Sequence, residues 1–276
     1  MRLIMSVVLV CGLSVAAAGQ APVLRVAVVN TPDVLLNALL PAFQARTGTR
    51  VQLQISENVF DIARAGNADM VIAHYGHAGT EAFMTDGLGR WPRMVFSNQA
   101  VLLGPYADPV GIRGFVDAAE AFRWMVRRGG EFVVNNAPTE RYLAEVLWEG
   151  AGRPDKTGWW VDHGLRDQAA IEFASHRRAY TLWGLVPYAR LRAQGDLRLD
   201  SLVVDDPLMQ RVMVSIVVNP ARIQGVNEAG ALALQRFLLE PSTQTAIRNF
   251  RHDGFREQTW WPAGRHNSAV NLIVPR

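Results

Sequence analysis

The stretch from Val23 to Tyr75, VLRVAVVNTPDVLLNALLPAFQARTGTRVQLQISENVFDIARAGNADMVIAHY, decides the fold. It opens on VLRVAVVN (23–30), an apolar, β-branched run that ends in Asn-Thr-Pro-Asp. VLLNALLPAFQARTG (34–48) then carries apolar residues at helical spacing. It closes on a basic last turn and a glycine, which is a helix with its stop signal. RVQLQIS (50–56) alternates as a half-buried strand does, VFDIARAG (59–66) reads as a short helix, and ADMVIAHY (68–75) as a buried strand. Strand–helix–strand–helix–strand with short connections means βαβ units and a parallel sheet, so the chain is of the α/β class.

Outward from this stretch, MVFSNQAVLLGP (94–105) reads as two short strand-like pieces leading into a Pro/Gly/Asp-rich passage. A second α/β run follows: a helix over 117–128, a strand over 131–134, a helix over 139–150, a helix over 168–176 and the strand RAYTLW (178–183). LRLDSLVV (197–204) and QRVMVSIVVNP (210–220) read as strands, and the segments 230–240 and 241–251 as helices, the second with proline at its first position. The expected organisation is two α/β lobes with the chain crossing between them twice. Residues 23–103 and 217–276 form the first lobe and residues 104–216 the second. Two strand-like crossings around a cleft suit a molecule that hinges shut on a ligand.

The first residues differ in kind. Arg2 precedes sixteen uncharged residues, Leu3 to Ala18, and then Gly19; a basic start, a short apolar core and a small-residue exit describe a signal peptide over 1–19. The run is shorter than the ~20 residues a membrane span needs. Cys11, the only cysteine, lies inside it, so the exported chain has neither disulfide nor thiol chemistry. The 276 residues carry 28 basic and 25 acidic side chains; removing Arg2 leaves 27 against 25, too balanced for a nucleic-acid binder.

In an open α/β sheet, ligands sit beyond the carboxyl ends of strands, near helix N-termini. Three loops qualify: 29–33 with Asn30 and Thr31, 56–58 with Ser56, and 135–139 with Asn135, Asn136 and Thr139. Each offers short polar donors just before a helix whose free N–H groups favour an anion. Ordinary helix capping accounts for any one of them, because these residue types are what helix starts prefer. Three in matching positions point to a ligand site. Hydrolase, zincin and phosphate-loop motifs are absent from the sequence. His74 and His77 read as loop histidines, the pairs Trp159-Trp160 and Trp260-Trp261 as core or lobe contacts, and Asp69 equally as a strand-start cap or a functional carboxylate. No catalytic residue, metal or cofactor is expected.

LLPAFQARTGTRVQL, AGNADMVIAH, VLLGPYADPVGI, EVLWEGAGRPDKTGWW, RAYTLWGLVPY and VSIVVNP resemble, in order and spacing, the periplasmic tungstate-binding proteins of ABC transporters. These are type II periplasmic solute-binding proteins, and the likeness runs from about Val23 to about Phe250. It implies two lobes joined by a two-strand hinge, export to the periplasm, a small oxyanion such as tungstate or molybdate in the cleft, and a membrane permease as partner. It also implies ligand contacts at Asn30, Thr31, Ser56, Asn135, Asn136 and Thr139. Within the third loop Asn135 stands where the family has an arginine; in the second loop Ile55-Ser56-Glu57 replaces a glycine-rich turn and adds a carboxylate. Glu57 and Asn135 suit a neutral or amine-bearing ligand, and a divergent periplasmic binding or sensor protein for such a ligand is the alternative reading. An enzyme on this scaffold is a third, for which no nucleophile–base pair stands out.

Overall fold

Residues 23–264 are described by the structure, a computed structural model; the expected signal peptide with Cys11 lies outside them. The chain begins with three parallel neighbours, β1 (Val23–Val28), β2 (Arg50–Ile55) and β3 (Met70–His74). They are linked by α1 (Asp33–Thr47) and α2 (Val59–Arg64). Helix α1 forms because Leu35, Leu36, Leu39, Leu40 and Phe43 recur on one buried face. It stops because Gly48 adopts φ 66° and returns its N–H to the Gln44 carbonyl. A short helix, α3 (Thr80–Thr85), precedes the long strand β4 (Arg93–Pro105).

The middle of the chain adds α4 (Ala118–Arg128), β5 (Phe132–Val133), α5 (Pro138–Gly150), β6 (Trp160–Val161), α6 (Asp167–Arg177), β7 (Tyr180–Gly184), α7 (Leu185–Ala193) and β8 (Leu199–Val203). It returns through a 3-10 turn at Pro207–Met209 into β9 (Gln210–Val217), then α8 (Glu228–Leu239), α9 (Pro241–Asn249) and β10 (Trp261–Pro262). The strands run in the order β2-β1-β3-β9-β4-β7-β5-β6, with β8 and β10 also pairing to β4. No described helix is long and apolar enough to cross a membrane.

The two expected pieces over 94–105 are one strand of 13 residues, and it is the spine of the molecule. Residues 93–99 of β4 pair antiparallel with β9, whereas Ala100–Leu103 pair with β7 and Leu102–Pro105 with β8. The change of partner between Gln99 and Ala100 is the first crossing between lobes. The second is the segment between β8 and β9, anchored by buried Asp206, whose carboxylate accepts from the N–H groups of Ala118 (2.7 Å) and Leu208 (2.8 Å). One of the orphan donors at the start of α4 is thereby satisfied from the crossing itself.

Each lobe has its own core. Leu24, Val26, Phe43, Phe83, Phe96 and Trp260 belong to that of the first lobe. Phe122, Phe132, Leu147, Trp159 and Tyr180 belong to that of the second, and a further cluster on the other face of its sheet gathers around Tyr188 and Trp183. Trp159 stacks edge-on against Phe122 and Trp260 against Phe96. Gly104 on β4 is required here: a Cβ would lie 2.5 Å from both the Tyr180 ring and Leu202. Asp69 is a structural anchor, fully buried, with its carboxylate accepting from the Arg25 N–H (2.7 Å), the Arg25 guanidinium (2.6 Å) and the Asn227 N–H (2.9 Å). It ties the start of β1 to the start of α8.

Candidate functional site

Because β1, β2 and β3 are parallel, their carboxyl ends open on one edge of the first lobe. Asn30 is exposed and Thr31 half-buried in the loop after β1, and Ser56 is half-buried after β2. Glu57 joins these loops: one carboxylate oxygen accepts from the Asn30 N–H at 3.4 Å and the other stands 3.9 Å from His77 Nε2. Ser56 Oγ accepts from the Asn58 N–H at 3.0 Å, closing a hydroxyl turn before α2. The Thr31 carbonyl accepts from the Arg190 guanidinium at 3.2 Å, and the same nitrogen reaches Asp33 at 2.5 Å. Helix α7 of the second lobe is thus strapped to the first loop of the first lobe.

On the second lobe, the loop between β5 and α5 is held from within. Asn135 is buried; its Nδ2 donates to the Leu182 carbonyl (3.3 Å) and its Oδ1 accepts from the N–H groups of Ala137 (3.1 Å) and Asp167 (2.8 Å). That one amide fixes the starts of α5 and α6 side by side. Asn136 donates to Asp162 at 2.9 Å and accepts from Arg141, which is itself engaged by Asp162 and Glu145. Thr139 and Glu140 follow, half-buried, in the first turn of α5.

Between the two sets of loops lies a group the loop signature does not contain. Arg211 and Met213, two apart on β9, share a face; Arg211 is paired across the ladder with Asn98 of β4, and Met213 with His74 of β3. Arg211, Asn98 and His74 therefore project to the same side at the junction of the lobes. Arg211 Nη2, Asn98 Oδ1 and His74 Nδ1 are all buried with no hydrogen-bond partner among the described residues.

The charges on this face act on one another. Burial pushes the His74 imidazole down to about 4, with Arg211 and His77 adding to the effect, so it is neutral at physiological pH. Burial lowers the Arg211 guanidinium, and Glu140 opposes that shift. Burial raises the Glu140 carboxyl, with Asp167 acting in the same direction and Arg211 against it. Arg211 consequently feels His74 of the first lobe and Glu140 of the second. A buried guanidinium nitrogen without a partner costs free energy unless an acceptor, best an anionic one, completes it. Neutral imidazole, amide and guanidinium together form a surface of hydrogen-bonding groups around one fixed positive charge. The sequence signal for Arg211 was a charged residue at the head of the buried run VMVSIVV, easily taken for a strand end. His74 and His77 belong to no group of three or more His, Cys, Asp or Glu residues able to hold a metal among the described residues.

No family model matches the chain. It is 32% identical over 251 residues to a "Putative ABC transporter anion-binding protein" of Haloferax volcanii, covering 87% of this chain and 72% of that protein. It is 24% identical over 233 residues to the tungstate-binding protein TupA of Peptoclostridium acidaminophilum, covering 83% and 80%. Among solved structures, the tungstate-binding protein TupA from Desulfovibrio alaskensis superposes with a TM-score of 0.77 at 26% identity, covering 88% of this chain and all of that one. The tungstate ABC transporter structure from Geobacter sulfurreducens gives 0.66 at 25% identity, over 83% of this chain and 98% of that one. These relatives are binding proteins of transporters rather than enzymes, and the architecture of two α/β lobes about a cleft is theirs. The chain belongs to the family of ABC transporter anion-binding proteins of the type II periplasmic solute-binding fold.

Proposed function

We propose that this protein is the exported solute-binding component of an ABC transporter and that it closes its lobes around a small tetrahedral oxyanion of the tungstate and molybdate class. The observation that carries this reading is Arg211, whose Nη2 is buried and unpartnered at the junction of the lobes. An oxyanion completes that donor with a charge-assisted hydrogen bond, the strongest kind a binding site offers. Asn98 and His74 stand beside it with unpartnered polar atoms. Asn30, Thr31 and Ser56 line the approach from the first lobe and Thr139 from the second, while Asn135 and Asn136 hold the third loop in place. In this reading residues 1–19 direct export to the periplasm, the two lobes, divided where β4 changes partner after Gln99 and again between β8 and β9, close on the ligand, and a membrane permease receives it.

The test is thermal unfolding with tungstate, molybdate, sulfate and phosphate in turn. Ligand at 100 times its dissociation constant adds ~2.7 kcal/mol to the native state. Unmoved melting curves with all four anions refute the oxyanion reading. A second reading, a neutral or amine-bearing ligand, draws on Glu57, whose carboxylate already occupies the Asn30 N–H. Native mass spectrometry of the freshly purified protein separates the two, because an organic adduct favours the second and a bound metal oxyanion excludes it.

A further inference from the structure

The face of β9 opposite Arg211 borders a cavity of its own. Met213 and Val214 are neighbours on that strand, so their side chains leave on opposite faces. Met213 shares the Arg211 face, whereas Val214, paired across the ladder with Met94 of β4, turns the other way. Val214 and Met94 belong to the wall of a cavity of about 500 Å³, within the ~300–1,000 Å³ of small-molecule sites. The turn after β3 supplies Tyr75 and His77, α3 supplies Thr80, Glu81 and Met84, and the residue Trp91 comes from just before β4. Tyr75 and Trp91 are 61% and 57% exposed. Two large rings left so far in water beside one concavity form a patch rather than scattered surface residues.

The polar groups of this cavity select the kind of ligand. Thr80 is only 7% exposed, and its Oγ1 is buried with no hydrogen-bond partner among the described residues. Such a hydroxyl costs free energy until a ligand pairs with it. Glu81 adds an exposed carboxylate, and no arginine or lysine lines the cavity among the described residues. His77 closes the side of the β2 loop, with its Nε2 3.9 Å from the Glu57 carboxylate. The wall is thus acidic where the Arg211 face is basic. An ammonium group answers all of these features: it has N–H donors for Thr80 Oγ1 and Glu81, and its positive charge is attracted to the Trp91 and Tyr75 rings. We propose that this cavity is a binding site for a small primary amine whose apolar body lies against Met84, Met94 and Val214. The site is separate from the anion site, on the other face of the sheet, and does not rest on the oxyanion reading.

The experiment is isothermal titration of the whole exported chain at neutral pH, with 2-phenylethylamine as probe and 3-phenylpropionate as its anionic counterpart. The amine is expected to bind at one site, about tenfold or more tighter than the carboxylate. Glu81→Gln is expected to weaken the amine about tenfold, and Trp91→Ala about fivefold. Both side chains are exposed, so neither substitution opens the core. Absence of amine binding at millimolar concentration overturns the proposal, and so does equal affinity for the carboxylate. Amine binding that both substitutions leave untouched also overturns it, because the amine then sits elsewhere, for instance beside Glu57. The comparison of amine with carboxylate needs no variant, so the proposal remains exposed even if a substituted chain fails to fold. Each of these failures leaves the oxyanion reading standing, since that reading is tested by the anion melts alone.

Discussion

Substituting Arg211 with methionine should move stability in opposite directions with and without ligand. Methionine keeps an unbranched stem of similar reach but removes the guanidinium. In the ligand-free protein that charged group is partly desolvated, and its Nη2 is buried with no partner. An unsatisfied buried donor costs about 1–3 kcal/mol, more when charged. Loss of the favourable field at Glu140 offsets part of the gain, so a net stabilisation of about 1–2 kcal/mol is expected. For a chain of this size each kcal/mol moves the melting temperature by about 2–4 °C. Without ligand, Arg211→Met is therefore expected to melt roughly 2–8 °C higher than the native protein. With oxyanion at 1,000 times the native dissociation constant, the native protein gains ~4.1 kcal/mol and the variant nothing, so the order reverses. Circular dichroism melts at several anion concentrations show whether the curves cross. A variant that melts lower without ligand, or that keeps the anion-induced rise, refutes the assignment of Arg211 as the anion's principal donor.

Four further outcomes follow from the same geometry. Asp69→Ala leaves two part-buried backbone N–H groups without their acceptor and takes the carboxylate from Arg25, which keeps the Gly66 and Gly225 carbonyls, and should cost about 2–4 kcal/mol in a denaturant titration, without altering anion affinity in the protein that remains folded. Gly104→Ala drives a methyl into the Tyr180 ring and Leu202 and should cost about 1–3 kcal/mol, again measured by denaturant midpoint. His74 has a folded-state pKa of about 4, below the 6.5 of the free side chain, so the unfolded chain binds more protons between those values. Stability is then full above about pH 6.5 and falls as pH drops toward 4, and His74→Gln should flatten that slope in melts across the range. Burial raises the Glu140 carboxyl, so its ionised form is disfavoured in the fold; Glu140→Gln should raise the melting temperature at neutral pH, with the gain vanishing under acid conditions.

The fold was legible wherever a single neighbour imposes a single period. β1, β2 and β3 read as strands, and α1 as a helix, because each meets one kind of surface along its whole length. β4 did not read as one strand because Ser97, Asn98 and Gln99 interrupt its apolar run where it leaves one lobe for the other. Those polar residues are nonetheless buried. Helix α7 was missed because Pro187 falls inside it; so early in a helix, proline removes an N–H that has no intrahelical partner in any case.

The loops of the site were legible through their capping chemistry, but that chemistry does not distinguish a side chain facing ligand from one facing its own backbone. Asn135 shows the limit, since among the described residues its side-chain hydrogen bonds are to main-chain atoms. Arg211 was the reverse case. One arginine among many carries no local pattern, and its neighbours Asn98 and His74 are joined to it only by strand register.

The partner change within β4 also sets an order of events for folding. β9 must slot between β3 and β4, and its Ser215 lies opposite Arg93, 122 residues earlier in the chain. Closing so long a loop is entropically slow before its contacts reward it. The intervening α/β segment, by contrast, pairs β5, β6 and β7 over much shorter separations and can condense by itself. Once condensed, it brings the two ends of the long loop close together. A chain emerging N-terminus first would then complete its second lobe first, leaving the first lobe with the edges of β3 and β4 open until β9 arrives. Such open edges are aggregation-prone, so the vulnerable interval in this protein's life is the time the roughly hundred residues between β4 and β9 take to appear.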